Sequence, residues 1–327
     1  MNASPLLSLS FLADDLVRLE PELRAAVSSG DDFLDQVTTH LIAAGGKRLR
    51  PGLALAAATG GTRPAAPDDL SGAVAVELVH LASLYHDDVM DEATMRRNTQ
   101  TVNARFGNLV AIVAGDFLLA RSAEIAAALG TEIASLLANT LGRLCEGQVT
   151  EVRSAFSLAR TEDDYFTAIA GKTAALMSTS CRIGALTGGL ARSEVDALTT
   201  FGTCFGMVFQ LRDDILDLIG TEEELGKLPG QDLAEGVYTL PVLLALRDPE
   251  AASELSPLLG RPLGPPERDK ARAIVTASGA IDSTLSIGRR YVQQAVDAAA
   301  VVPGPELGRV LADLADSLLA DLPLARR

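Results

Sequence analysis

Two aspartate clusters of the same spacing, Asp87-Asp88-Val89-Met90-Asp91 and Asp213-Asp214-Ile215-Leu216-Asp217, lie inside apolar stretches of helical period. In a helix, positions i and i+4 share a face, so Asp87 pairs with Asp91 and Asp213 with Asp217. Two like charges about 6 Å apart cost roughly 2 to 3 kcal/mol at an effective dielectric near 20, and two clusters facing each other cost several times more. A divalent cation removes that penalty. Magnesium takes one or two carboxylates and fills its remaining octahedral positions with water and phosphate oxygens. Short paired acidic motifs therefore suit a metal-bridged diphosphate better than a closed protein cage. Most aspartates are solvated surface groups or helix caps. The repetition of this pattern, with apolar neighbours in 81–85 and 208–211, sets these six apart.

The cations fall at defined places around the same motifs. Lys47, Arg48 and Arg50 crowd the turn Gly45-Gly46-Lys47-Arg48-Leu49-Arg50-Pro51, and Arg96-Arg97 follow the first cluster. His80 lies two turns before Asp87 on the same face, and Gly171-Lys172-Thr173 and Gly226-Lys227 come later. Gln210, Asp213, Asp214 and Asp217 stand at i, i+3, i+4 and i+7 and share one helical face. Each cation alone reads as an ordinary solvated side chain, and His80 alone as a core histidine. Their interest lies in their ordered arrangement.

The elements that must carry these groups are helices. Hydrophobic residues make up 48% of the 327 and aromatic ones only 4%, with no Trp and no run of β-branched alternation, so helices packed on helices are expected. Helical period predicts helices near 8–28, 31–43, 50–59, 68–94, 101–104, 108–128, 131–153, 162–189, 193–219, 238–247, 266–278, 280–301 and 305–322, with loops at 60–67, 220–236 and 248–267. Pro51 is placed at the first position of its helix, where its missing N–H is harmless. No composition shift marks a linker, so a single domain over 1–327 is the expectation. The net charge of −15 argues against a nucleic-acid partner. Three widely spaced cysteines (Cys145, Cys181, Cys204) suggest neither a disulfide framework nor a zinc site. No stretch reaches the ~20 apolar residues of a membrane span, and the first dozen residues do not read as a signal peptide. A cytoplasmic location is expected.

Taken in order, the stretches GGKRLRP (45–51), HLASLYHDDVMDEATMRR (80–97), GKTAAL (171–176), FQLRDDILD (209–217) and the segment from Asp232 to Pro241 closely resemble the trans-isoprenyl diphosphate synthases, also called polyprenyl synthetases, especially bacterial long-chain members. The resemblance implies an all-α bundle of long helices around a central apolar cavity with both acidic motifs at its mouth, and a homodimer. It implies a prenyltransferase that joins an allylic diphosphate to isopentenyl diphosphate with release of pyrophosphate. It also implies Mg²⁺, three ions with substrate bound, on Asp87, Asp91 and Asp213, with Asp88, Asp214 and Asp217 completing the metal site. Arg96, Lys172 and Lys227 would hold the allylic diphosphate, and Lys47, Arg50, His80 and Arg97 the isopentenyl diphosphate. Thr173 and Gln210 match positions beside the reacting carbon. The chemistry agrees with these roles, because ionising an allylic C–O bond needs stabilisation of the departing pyrophosphate. Arg48 and Arg212 are assigned to local ion pairs, His40 and His86 to structure, and Glu92, Glu146 and Glu151 to helix-surface or supporting positions.

Two departures stand out. Many members read Arg-Arg-Gly-x-Pro-Thr after the first motif, where this chain has Arg96-Arg97-Asn98-Thr99-Gln100-Thr101, so a turn of different shape is expected. Val237 replaces a common lysine. Ala82 and Ser83, one turn deeper than Asp87, are the chain-length positions. Short-chain members place aromatic residues there, and small ones leave the tunnel open, which favours products beyond C15, in the C30 to C50 range. The alternatives are a C20 (geranylgeranyl) synthase, a class I terpene cyclase, which has no use for Lys47, Arg50 and Arg97, and a non-catalytic subunit of a heteromeric synthase.

Overall fold

The computed structural model describes residues 5–225, 228–302 and 304–324. Its helices in chain order are α1 (Leu12–Ala26), α2 (Asp32–Thr38), α3 (His40–Ala43), α4 (Leu49–Thr59), α5 (Pro67–Met90), α6 (Val102–Phe106), α7 (Asn108–Ala128), α8 (Thr131–Arg153) and α9 (Glu162–Ile169). They continue as α10 (Ala175–Thr187), α11 (Arg192–Ile219), α12 (Glu222–Leu225), α13 (Gln231–Ala234), α14 (Leu240–Arg247), α15 (Pro249–Leu255), α16 (Pro265–Ala277), α17 (Ala280–Ala299) and α18 (Pro305–Ala320). The expected all-α class holds. The strands among the described residues are β1 (Met95–Arg96) and β2 (Thr99–Gln100), paired antiparallel. No described helix is long and apolar enough to cross a membrane.

The chain forms two compact units, one of residues 1–141, 176–202 and 299–311, the other of 142–175, 203–298 and 312–327. In the first unit α5 is the central element, packed on α7, α4 and α1. It starts at Pro67, whose missing N–H is one of the donors a first turn leaves unused, and the Asp69 carboxylate accepts the Ala66 N–H at 2.8 Å. Its body is buried nearly all round, from Gly72 to Val79 and on to Tyr85. Tyr85, fully buried, donates its hydroxyl to the Val37 carbonyl at 2.8 Å and so ties α5 to the end of α2. In this unit Gly184 of α10 lies against α4, where a Cβ would meet the Ala54 carbonyl oxygen at 1.9 Å.

In the second unit Tyr165, Leu211, Leu218, Leu233, Tyr238 and Val275 belong to one buried core that brings α9, α11, α13, α14 and α16 together. Here α8 crosses the chain after α9 at a pair of glycines: a Cβ on Gly171 would stand 2.5 Å from the Arg143 carbonyl oxygen, and one on Gly147 would stand 2.7 Å from the Lys172 nitrogen.

Several boundaries differ from the periodicity. The helix expected over 31–43 breaks at Thr39, whose hydroxyl turns back to the Asp35 carbonyl at 2.6 Å. The helix expected over 162–189 carries a π-helical turn, Ala170–Ala174. The loops expected at 220–236 and 248–267 contain α12, α13 and α15, and Pro51 is the third residue of α4, still within the turn whose N–H groups have no helical partner. The helix expected to reach 94 stops at Met90, and the β1–β2 hairpin follows. Arg97 and Asn98 form its two-residue turn with φ of 51° and 58°, the paired positive φ of a type I′ turn.

The glycine contacts predict opposite effects for two helix-interior substitutions. Gly184→Ala forces a Cβ into a backbone oxygen and lowers stability by about 1–3 kcal/mol. Gly142→Ala adds its methyl where nothing lies within 4 Å, and gains roughly 0.5–1 kcal/mol from reduced unfolded-state freedom. Urea denaturation midpoints of the two variants should move in opposite directions.

Candidate active site

Both aspartate motifs sit at the carboxyl ends of their helices. Asp87 and Asp88 occupy the last turn of α5, and Asp91 is its C-cap, its N–H bonded to the Asp87 carbonyl at 2.8 Å. Asp213, Asp214 and Asp217 fall in the last two turns of α11. A helix already presents about half a negative charge at that end, so acidic residues there work against the macrodipole.

Each motif divides into inner and outer carboxylates. In the first, Asp88 is 0% exposed, whereas Asp87 is half-buried and Asp91 exposed. Arg96, the last residue of β1, donates from Nε to Asp88 Oδ1 at 2.6 Å. Asn103 of α6 donates to the Asp88 carbonyl at 3.0 Å. Burial raises the Asp88 carboxyl above its ordinary range, with Arg96 pulling the other way. Its second oxygen, Oδ2, is buried with no hydrogen-bond donor.

In the second motif Asp214 and Asp217 are 2% exposed and Asp213 is exposed. Asp214 accepts hydrogen bonds on both oxygens, from the Tyr165 hydroxyl on Oδ2 and from Gln210 Nε2 on Oδ1 at 2.8 Å. Thr173, in the π-helical turn, donates to Gln210 Oε1 at 2.8 Å, which completes a chain from Thr173 through Gln210 and Asp214 to Tyr165. Burial, reinforced by the charge of Asp232, pushes Asp214 up to about 8 against these hydrogen bonds. Asp217 accepts the Asp232 N–H on Oδ2 at 3.3 Å, and its carbonyl accepts the Gly230 N–H at 2.7 Å, so the start of α13 is docked on the end of α11.

These donors fit a hard divalent cation. They are oxygen ligands, one turn apart, on helix ends whose dipole favours positive charge, and a buried carboxylate oxygen of the first motif has no donor. Among the described residues no group of three or more Asp, Glu, His or Cys is arranged to hold an ion by itself. The arrangement therefore suits a cation that takes most of its ligands from water and phosphate.

The predicted diphosphate-binding cations are partly gathered. Arg97 donates from Nη1 to the Gly45 carbonyl, and its guanidinium lies where a Cβ on Gly46 would stand, 2.6 Å from that nitrogen. The glycine pair of the GGKR loop is thus the seat of Arg97. His80 feels the charges of Arg50, Arg97, Arg96 and Arg48, which add to burial in holding it well below its ordinary value, so it is neutral at physiological pH and can donate an N–H. Burial, with the like charge of Arg97, brings Arg50 down to about 10 against the pull of Glu77. Lys47 is exposed on the adjoining loop. In the second unit Lys172 pairs with Glu151 at 2.5 Å. Lys227 lies outside the described residues. Ala82 is fully buried and Ser83 partly so, its hydroxyl turned to the His80 carbonyl at 2.8 Å.

Arg48 is locked between Glu20 and Glu77 at 2.6 and 2.9 Å, and Arg212 lies 3.3 Å from Asp213. His40 bonds the Gln100 carbonyl at 2.6 Å and so braces the hairpin, and His86 lies above Gly115 of α7. Two supporting residues, Glu77 and Tyr165, were given no role by the sequence, whereas Glu151 lies among the supporting positions expected. The best available sign was Glu77, a charge in an otherwise apolar helix three positions before His80.

Against known proteins, residues 31–277 match the polyprenyl synthetase family. The heptaprenyl diphosphate synthase component 2 of Geobacillus stearothermophilus is 40% identical over 316 residues, covering 94% of this chain and 95% of that one. The nonaprenyl diphosphate synthase of Mycobacterium tuberculosis is 37% identical over 305 residues, covering 92% and 90%. The crystal structure of a polyprenyl synthase from Caulobacter crescentus CB15, complexed with calcium and isoprenyl diphosphate, superposes with a TM-score of 0.89 at 32% identity, covering 97% of each chain. The chain belongs to the polyprenyl synthetase family. It is accordingly a prenyltransferase.

The buried charge of Glu77 can be tested directly. Glu77→Gln preserves shape but removes the negative charge that Arg48, Arg50 and Arg97 share. The loss should be about 3 kcal/mol, the low end for a broken buried pair because Glu20 still holds Arg48. Equilibrium urea unfolding of the full chain measures it.

Proposed function

We propose that this protein is a divalent-metal-dependent all-trans polyprenyl diphosphate synthase. It lengthens an allylic diphosphate with isopentenyl diphosphate beyond C15, with C30 to C50 products favoured. The observation that carries this reading is the pair of acidic helix ends, each with outer carboxylates accessible and inner ones anchored, in a chain that also keeps a separate cluster of cations around His80. A terpene cyclase ionises one diphosphate and has no use for the second cluster.

In this reading Asp87, Asp91 and Asp213 hold Mg²⁺, three ions with substrate bound, while Asp88, Asp214 and Asp217 complete the metal site directly or through water and anchor the ends of their helices. The ions, when bound, withdraw electrons from the allylic ester oxygen and balance the charge of the departing pyrophosphate. Arg96, Lys172 and Lys227 hold the allylic diphosphate. The first two are kept in place beforehand by Asp88 and Glu151. Lys47, Arg50 and Arg97 hold the isopentenyl diphosphate by charge, and neutral His80 by an N–H. Thr173 and Gln210 present dipoles to the allylic cation, aligned by the hydrogen bond between them. After the new C–C bond has formed, the released pyrophosphate takes the proton that leaves C2 of the isopentenyl unit, whose C–H electrons form the new double bond. The two compact units work as one domain over 1–327. The active form is a cytoplasmic homodimer, for which exposed Leu109, Ile112 and Val113 on α7 offer an apolar surface. A heteromeric assembly is the second reading, because the Geobacillus relative carries the name of a component.

Purified protein with Mg²⁺, isopentenyl diphosphate and farnesyl or geranylgeranyl diphosphate should release pyrophosphate and yield C30 to C50 chains, read by reversed-phase chromatography after dephosphorylation. Failure with every primer refutes the reading, and products ending at C20 assign a geranylgeranyl synthase instead. Asp213→Ala should lower kcat by at least about 10²-fold, as loss of transition-state charge stabilisation does.

Product length should respond to the floor near Asp87. Ser83→Phe places an aromatic ring one turn below the first motif and shifts the product distribution toward shorter chains, with turnover of the first condensation retained. An unchanged distribution would remove Ser83 from the chain-length determinants.

A further inference from the structure

Behind the second acidic motif, the end of α8, the loop 154–161 and the start of α9 enclose a recess of about 340 Å³ lined by Thr150, Arg153, Ser154, Ser157, Arg160 and Asp164. The loop is a built structure. Phe156 adopts φ 58° and donates its N–H to the Gly236 carbonyl at 2.9 Å, and the Arg160 N–H bonds the Ser157 carbonyl at 3.2 Å. Arg160 is only 7% exposed, yet its Nε and Nη1 are buried without a hydrogen-bond partner. Its charge is met on the protein side by the Tyr165 ring, whose centroid lies 5.8 Å from the guanidinium carbon, and by carboxylates that make no hydrogen bond to it. Burial lowers its affinity for the proton against the pull of Glu151, Asp214 and Asp164, so the guanidinium is desolvated without a hydrogen-bonded anion beside it.

The rest of the lining points the same way. Arg153 adds a second, exposed cation. Ser157 accepts the Ala159 N–H at 3.3 Å and so has its own proton to give, whereas the Thr150 and Ser154 hydroxyls are spent on backbone carbonyls of α8. Asp164 is the one acidic wall, and its Oδ2 is taken by the Thr161 N–H and hydroxyl at 2.9 and 2.8 Å. Val149, itself a lining residue, is exposed, and so are Val152 and Leu158, chain neighbours of lining residues, so apolar surface rims the recess at Val149 and continues along the chain beside it.

We propose that this recess is a second anion site that takes a phosphate or diphosphate group between Arg153 and Arg160, with Ser157 donating a hydrogen bond. The group is either a free anion or the head of an amphiphilic phosphate whose alkyl part lies on the rim. The recess adjoins the second acidic motif, since Arg160 stands over the Tyr165 ring that bonds Asp214 and feels the charge of Glu151, the partner of Lys172. None of its lining residues is assigned to either substrate, and the inference holds whatever the product length.

Isothermal titration calorimetry in chelator, which leaves the proposed allylic site without divalent ions, tests it with inorganic pyrophosphate and with hexyl phosphate as separate titrants. The Lys47→Glu/Arg97→Glu variant silences the isopentenyl diphosphate cluster, and the part of the binding that Arg153→Glu removes is assigned to the recess. Binding of either is expected, and Arg153→Glu or Arg160→Gln in that background should weaken it at least about tenfold. Arg153 is exposed, so its variant folds even if loss of Arg160 does not permit folding. Tighter binding of hexyl phosphate than of pyrophosphate assigns the site to an amphiphile, and the reverse assigns it to the free anion. No binding of either at millimolar concentration, or binding that Arg153→Glu leaves unchanged, overturns the proposal.

Discussion

Negative charge collected at the carboxyl ends of two helices is the condition to which the rest of this protein is fitted. Each aspartate in the last turns of α5 and α11 opposes a dipole worth about 0.3–1 kcal/mol per charge, and its neighbours in the motif add their own repulsion. The inner carboxylates are dealt with by the protein itself. Asp88 has Arg96, and Asp214 has Tyr165 and Gln210. The outer ones are left toward solvent. In each copy of D-D-x-x-D the second aspartate is turned inward and the first outward, while the fifth is exposed in the first motif and buried in the second, where the start of α13 covers it.

The cationic side obeys a related constraint. Arg48, Arg50, Arg97 and His80 gather within reach of one another, an arrangement that repels itself unless an anion lies among them. Glu77 supplies that anion from the buried face of α5 and Glu20 supports it from α1. The close packing of Arg97 on Gly46 then follows from chain geometry. Arg97 stands at a positive-φ position of the hairpin turn, and only a residue without a Cβ leaves room for its guanidinium at the opposite loop.

The long helices were legible because their apolar periodicity is uninterrupted, and the predicted ends of α7, α8 and α11 lie within a residue of the observed ones. The motif residues were legible because they are local. What escaped depends on partners far along the chain. Glu77 is meaningful only once Arg48 is seen beside it, and Tyr165 only once it touches Asp214 across 49 positions. The β1–β2 hairpin escaped because its turn uses Arg97 and Asn98 where glycine is the usual sign, and its two-residue strands are too short for alternation to show. The π-helical turn is silent in periodicity, since it adds one residue to a helix that otherwise continues. Its place is explained by packing, at the point where Gly171 meets α8.

The two motifs, alike in spacing, differ in what holds their inner aspartate, and this difference has a mechanical consequence. Asp214 is held by neutral donors, a tyrosine and an amide, that an incoming diphosphate does not attract strongly. Asp88 is held by Arg96 through Nε, and that side chain is partly exposed and has further N–H groups to donate. An anion arriving at Arg96 therefore draws on the same charge that stabilises Asp88, while the planar fork of the guanidinium allows both to be served at once. Since Asp88 also fixes the hairpin through Asn103 and Arg96, ligand binding at that arginine bears on the turn that carries Arg97. With Arg96 holding the diphosphate as proposed, the first motif would respond to the anion while the second kept its shape.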